Sequence, residues 1–150
     1  MPTENPQSTV KIAGHPIHPM LVPFPIAFFV GAFAADLAYW RTADEFFARG
    51  AVWLIGAGLA MAVLAAAAGF TDFLGSPAIR ALRPAWLHLI GNGTAVILEL
   101  LNFFVRQSDS AAAVVPIGLG LSLVVTLLLL FNGWMGWEMV YRGRVGVADQ

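Results

Sequence analysis

Polar and apolar residues follow one another along this chain in long blocks. Between Met20 and Trp40 the only charged residue is Asp36, and between Ala51 and Leu74 the only one is Asp72. The block from Ala85 to Val105 is the most polar of the apolar stretches, holding His88, Asn92, Glu99 and Asn102. A fourth begins near Ala112, carries no charge to Phe131, and continues through Gly133-Trp134-Met135-Gly136-Trp137 to about Tyr141. The pattern predicts helices over about 20–40, 51–74, 85–105 and 112–141. Each reaches the roughly 20 residues needed to cross a bilayer core.

The separators are short. Residues 1–18 carry Pro2, Pro6, Gly14 and Pro16 and read as a polar tail and turn, and residues 142–150 as a C-terminal tail. Arg41 to Gly50 reads as a charged loop, Gly75-Ser76-Pro77 through Pro84 as a second, and Arg106 to Ser110 as a third. Short connections make neighbouring helices antiparallel, so the expected fold is an all-α, polytopic, up-down-up-down four-helix transmembrane bundle, one domain over 1–150. Pro23 and Pro25 sit in or before the first turn of span one, where a missing N–H costs least. Met20 to Gly31 followed by Ala32-Phe33-Ala34 imitates a signal peptide, but the apolar run continues past that point, which favours a permanent helix. The Ala and Gly content of span two predicts close packing at the bundle centre.

Composition agrees with lipid as the solvent. Apolar residues make up 59% and charged residues 11%, against roughly 45–50% and about 25% in soluble domains. A net charge of -1 offers no basic surface for nucleic acid. The absence of cysteine excludes thiolate metal sites, iron–sulfur ligation and thiol chemistry, so any metal must be held by His, Asp, Glu, Met or backbone. Lys11, Arg80, Arg83, Arg142 and Arg144 fall on the side of the termini and Arg41, Arg49 and Arg106 on the other. That excess favours cytoplasmic termini. Trp40 and Trp53 mark one interface, and Trp86, Trp134 and Trp137 the other.

The topology brings ionisable groups together. His15 and His18 open span one, His88 opens span three, Asp72 closes span two and Glu138 lies near the end of span four, all at the terminus-bearing end. His15, His18, Asp72, His88 and Glu138 are therefore candidate metal ligands, two histidines and a carboxylate suiting iron, zinc or manganese. His88 with His15 or His18 is a candidate axial pair for a b-type haem. The competing reading has these histidines capping helices or bonding loop carbonyls. His88, Asn92 and Glu99 share a helix face, with Glu99 roughly 16 Å from His88 along the axis. Asn92 and Glu99 are candidates for a buried proton path or quinone contact, or for helix-locking hydrogen bonds through Asn102. Asp36 is expected to pair with Arg41, Arg49 or Arg106 as a structural contact. No Gly-x-Ser-x-Gly elbow, HExxH helix or P-loop occurs.

Gly14-His15-Pro16-Ile17-His18-Pro19-Met20-Leu21-Val22-Pro23-Phe24-Pro25-Ile26, then Asp36, Gly69-Phe70-Thr71-Asp72, His88 and Gly133-Trp134-Met135-Gly136-Trp137-Glu138-Met139-Val140-Tyr141-Arg142 run in this order along the chain. In these motifs the sequence resembles the bacterial membrane family catalogued as domain of unknown function 2231, over nearly its whole length. The resemblance implies a four-helix domain of the bacterial inner membrane. It also implies redox work for those members joined to Rieske-type iron–sulfur domains, which this chain has no cysteine to build. Members often carry His where Pro23 stands here and Gly where Trp137 stands. Three functions follow as expectations: a haem- or metal-binding electron-transfer protein, an accessory or assembly subunit of a membrane complex, and a small transporter. The expected partners are the lipid bilayer, a redox or membrane-complex partner and further copies of the chain.

Overall fold

The computed structural model describes residues 5–147. The tail folds back on itself before the first span. Strands β1 (Lys11–Ile12) and β2 (His15–Pro16) pair antiparallel, with Lys11 opposite Pro16 and Ile12 opposite His15. Ala13 and Gly14 between them both take positive φ, 48° and 81°, as a tight two-residue hairpin turn requires.

Helix α1 (Ile17–Leu21) leads into α2 (Pro23–Thr42), and the two form the first span. Helix α3 (Glu45–Gly75) is the second, α5 (Arg83–Val105) the third, and a short α4 (Pro77–Arg80) lies between them. The fourth span covers Val114–Arg142 and is built on α6 (Leu119–Trp137). Four helical segments are thus long and apolar enough to cross a membrane.

Among the boundaries that differ from those the apolar blocks suggest, two have plain local causes, a side-chain cap and a proline. Glu45 to Gly50 is helix, not loop, because Asp44 accepts a hydrogen bond from the Phe46 N–H at 2.9 Å and caps α3. Ala43 at φ 55° reverses the chain, so α2 and α3 are joined by two residues. At the fourth span, regular helix begins only at Leu119. Val115 is extended (φ -113°, ψ 126°), as the residue before a proline tends to be.

Contacts fix the arrangement. His18 lies against Gly69, Gly31 against Leu54 and Phe29 against Gly58, so numbers fall along α3 as they rise along the first span. Gly91 meets Asn132, Gly136 meets His88 and Asn102 bonds Ser122 in the same antiparallel sense for α5 and α6. Helix α6 closes the bundle against α2, and α3 against α5. The small residues of α3 let it pack tightly against α2. A Cβ on Gly58 would lie 2.4 Å from the Phe29 ring.

Three apolar layers fill the interior. Phe73, Ile79 and Ala85 pack at the terminus-bearing end; Phe29, Ala62, Ala95, Val125 and Leu129 in the middle; Ala32, Ala51 and Ile55 beyond them. Large apolar side chains such as Trp53, Leu130 and Phe104 point outward, as a lipid-facing surface demands. The protein is a multi-pass membrane protein.

Candidate functional site

The terminus-bearing end brings two of the three histidines together. His18, half-buried on α1, donates from Nδ1 to the Ala65 carbonyl of α3 at 2.8 Å. Its ring fills the space over Gly69, where a Cβ would come within 2.7 Å. His88, half-buried on α5, donates from Nδ1 to the Asn132 carbonyl of α6 at 3.0 Å. Because a carbonyl only accepts, both rings carry their proton on Nδ1 when neutral and leave Nε2 as a lone-pair nitrogen. The two ring centroids are 6.2 Å apart and the planes stand at 89°. Asn92 donates to the His88 carbonyl at 2.8 Å, and Asn132 reaches Asn92 at 3.4 Å, so amides line the inner side of the pair.

The other three sequence candidates sit in separate contacts. His15 is exposed on the hairpin, its Nδ1 3.0 Å from the Ala13 carbonyl. Asp72 is buried under the tail and accepts from the Thr9 and Val10 N–H groups at 2.7 and 3.0 Å and from the hydroxyls of Ser8 and Thr9. Glu138 pairs with Arg142 one turn away at 3.1 Å. Among the described residues no three His, Asp or Glu side chains gather as a metal site would need. The expected convergence of five groups thus reduces to the pair His18 and His88. The tail, which carries its own donors, takes up the Asp72 carboxylate.

The opposite end holds a buried ionic network. Arg106 donates to Asp36 through both terminal nitrogens, at 2.7 and 2.8 Å, and to Asn102 through Nε at 2.8 Å. Asn102 donates to Glu99 at 3.1 Å and to Ser122 at 3.0 Å, and Ser122 donates to Asp36 at 2.7 Å. Asp36, Glu99, Asn102 and Ser122 have no exposed surface, and Arg106 has 2%. Glu99 Oε1 has no hydrogen-bond partner among the described residues. Gly118 makes room for the guanidinium, because a Cβ there would lie 2.4 Å from Nη2. The middle apolar layer, including Ala95 and Leu129, stands between Asn92 and Glu99. The polar residues of α5 therefore form two layers and not one continuous path.

Over residues 14–149 the chain matches the family model described as a predicted membrane protein, DUF2231. The protein belongs to the DUF2231 family. No curated protein and no solved structure matches it.

Within this DUF2231 chain, one signal in the sequence points to the ionic network. Glu99, Asn102 and Arg106 are spaced by three and four, which puts them on one face of α5. Reading Arg106 as the first loop residue hides it, although it directly follows α5 and its side chain turns back inside. Ser122 and Gly118 carry no comparable signal, since a lone serine or glycine in an apolar span is ordinary packing.

Proposed function

We propose that this DUF2231 protein is a membrane redox protein that holds a haem iron between His18 and His88 and exchanges electrons with a membrane-bound partner. The observation that carries this reading is the paired geometry of the two imidazoles. Two imidazoles whose ring centroids lie about 6 Å apart would be near enough to hold one metal ion between them. The separation here is 6.2 Å. Both Nδ1 groups are tied to backbone carbonyls, a bond that would fix each ring and leave its Nε2 free to ligate a metal.

The donor set favours haem over a bare ion. A haem would need only two ligands from the protein, which His18 and His88 would supply, whereas zinc or manganese would need further protein ligands. Asp72 and Glu138 are engaged elsewhere. When bound, the haem would supply one-electron chemistry; the chain's own part is to orient the rings and keep them in an apolar, lipid-flanked setting. The positive-charge bias supports a cytoplasmic location for this end and both termini, in what we propose is a bacterial inner membrane.

A second reading is that the protein is an accessory subunit whose histidines only lock helices. It is favoured by the fact that each histidine bond joins two elements, α1 to α3 and α5 to α6. Spectra decide between the two. A redox-active protein purified after haem supplementation shows a Soret band that sharpens and shifts on reduction and is lost in both His18→Ala and His88→Ala. A folded protein that stays colourless and free of bound metal supports the accessory reading.

A further inference from the structure

The buried network away from the histidines holds two carboxylates and one guanidinium. Asp36 and Glu99 have no exposed surface and Arg106 has 2%, so the three groups share a setting without water. With both acids ionised, one negative charge would be left unmatched between the helices, which is strongly disfavoured in a membrane interior. We infer that Glu99 is a proton-binding site whose Oε1 carries the proton that makes the network neutral. The inference uses none of the residues of the haem reading.

Hydrogen bonds assign the proton to Glu99 and the negative charge to Asp36. Asp36 accepts from both terminal nitrogens of Arg106 and from the Ser122 hydroxyl, with the bidentate pairing of an ionised carboxylate. Asn102 directs this choice. Its Oδ1 accepts from Arg106 Nε, and its amide nitrogen donates to Glu99 Oε2 and to Ser122. Glu99 therefore accepts a single bond among the described residues, from a neutral amide, and its buried Oε1 accepts none. An ionised carboxylate offers about four acceptor sites, and a buried one left this bare gives up its charge by taking a proton.

No other buried charge among the described residues lies at this end. Helix α2 contributes Asp36, the fourth span Val114, Gly118 and Ser122, and α3 the apolar Ala48, Ala51 and Ile55. Arg49 and Glu45 are exposed and pair with each other. His18 and His88 lie beyond the middle apolar layer. A metal cation would need several oxygens around it. Asp36, Asn102 and Ser122 already spend theirs on hydrogen bonds, which leaves Oε1 of Glu99 as the uncommitted oxygen of the network. A proton needs only one. Its loss would set a second carboxylate in competition for Arg106, so occupancy of Glu99 is coupled to the contacts that join α2, α5 and α6.

The test is infrared spectroscopy of the purified full-length protein at neutral pH, in a detergent without ester groups. An un-ionised carboxylic acid has a carbonyl stretch well separated from the bands of a carboxylate, and it shifts when the acid proton is exchanged for deuterium. The expected result is one such band, moved by carbon-13 labelling of the glutamate side-chain carboxyls, unmoved by the same label in aspartate, and lost in Glu99→Gln. That variant puts an N–H where the acid carries its O–H and is expected to fold. The isotope comparison needs no variant and decides the matter even if it does not. Absence of the band from the folded protein, a band that follows the aspartate label, or one that survives Glu99→Gln overturns the inference. So does a band that appears only once sodium is removed, which would give Oε1 to a cation instead.

Discussion

Asp36, Arg106, Asn102 and Ser122 are tied to one another across α2, α5 and α6, and the Asp36–Arg106 pair is the most demanding case. Two charges with no exposed side-chain surface persist only because geometry and further hydrogen bonds offset their desolvation. Removing one partner leaves a buried unpaired charge, so Arg106→Met is expected to destabilise the protein by about 3–5 kcal/mol. The double variant Asp36→Leu/Arg106→Met is expected to recover much of that loss. Unfolding titrations in mixed detergent micelles measure both, and an equal or larger loss in the double variant would refute the interpretation. The glycines give a second test. Gly118→Ala drives a methyl group into the guanidinium and is expected to cost about 1–3 kcal/mol. Gly93→Ala meets nothing within 4 Å among the described residues and is expected to be neutral or to stabilise by up to about 1 kcal/mol. A pairing of Asp36 with one of three arginines, and of Glu99 with Asn102, was legible from sequence. Which arginine, and that it is buried, was not, because an arginine directly after an apolar block looks the same whether it turns outward or inward.

Helix ends proved harder to read than helix existence. The apolar blocks mark where lipid begins and ends, whereas backbone hydrogen bonds decide where a helix begins and ends. Asp44 therefore starts α3 among charged residues, and Pro116 delays the regular part of span four. The tail illustrates the same point. Its polar composition gives no hint that Ser8, Thr9 and Val10 satisfy Asp72 at the end of α3, or that Gly146 N–H bonds the Pro6 carbonyl. Asp72→Ala leaves two backbone N–H groups without this acceptor and is expected to cost about 1–3 kcal/mol. It should also free the tail, so limited proteolysis is expected to cut between residues 5 and 16 several times faster than in the wild type. An unchanged cleavage rate there would show that the hairpin is held by something other than this carboxylate.

For the whole molecule, the four-span antiparallel bundle follows from hydropathy and loop length, because a chain this apolar has few other ways to satisfy its backbone in lipid. Antiparallel spans put both termini on one side. Reporter fusions at either end are expected to report the same compartment, the cytoplasm by the charge bias, and opposite compartments would break the topology. The chemistry was less legible. Topology alone suggested that five ionisable groups share one end, but neighbouring segments claim three of them and leave His18 and His88 facing each other at 6.2 Å. The most direct test of the central claim is an absorption spectrum of the purified, haem-supplemented protein, oxidised and reduced, with metal analysis of the same sample. The predicted result is about one haem per chain, with the Soret band abolished by His18→Ala or His88→Ala and retained in His15→Ala. A folded wild-type protein that takes up neither haem nor metal, or one whose band survives both substitutions, contradicts it.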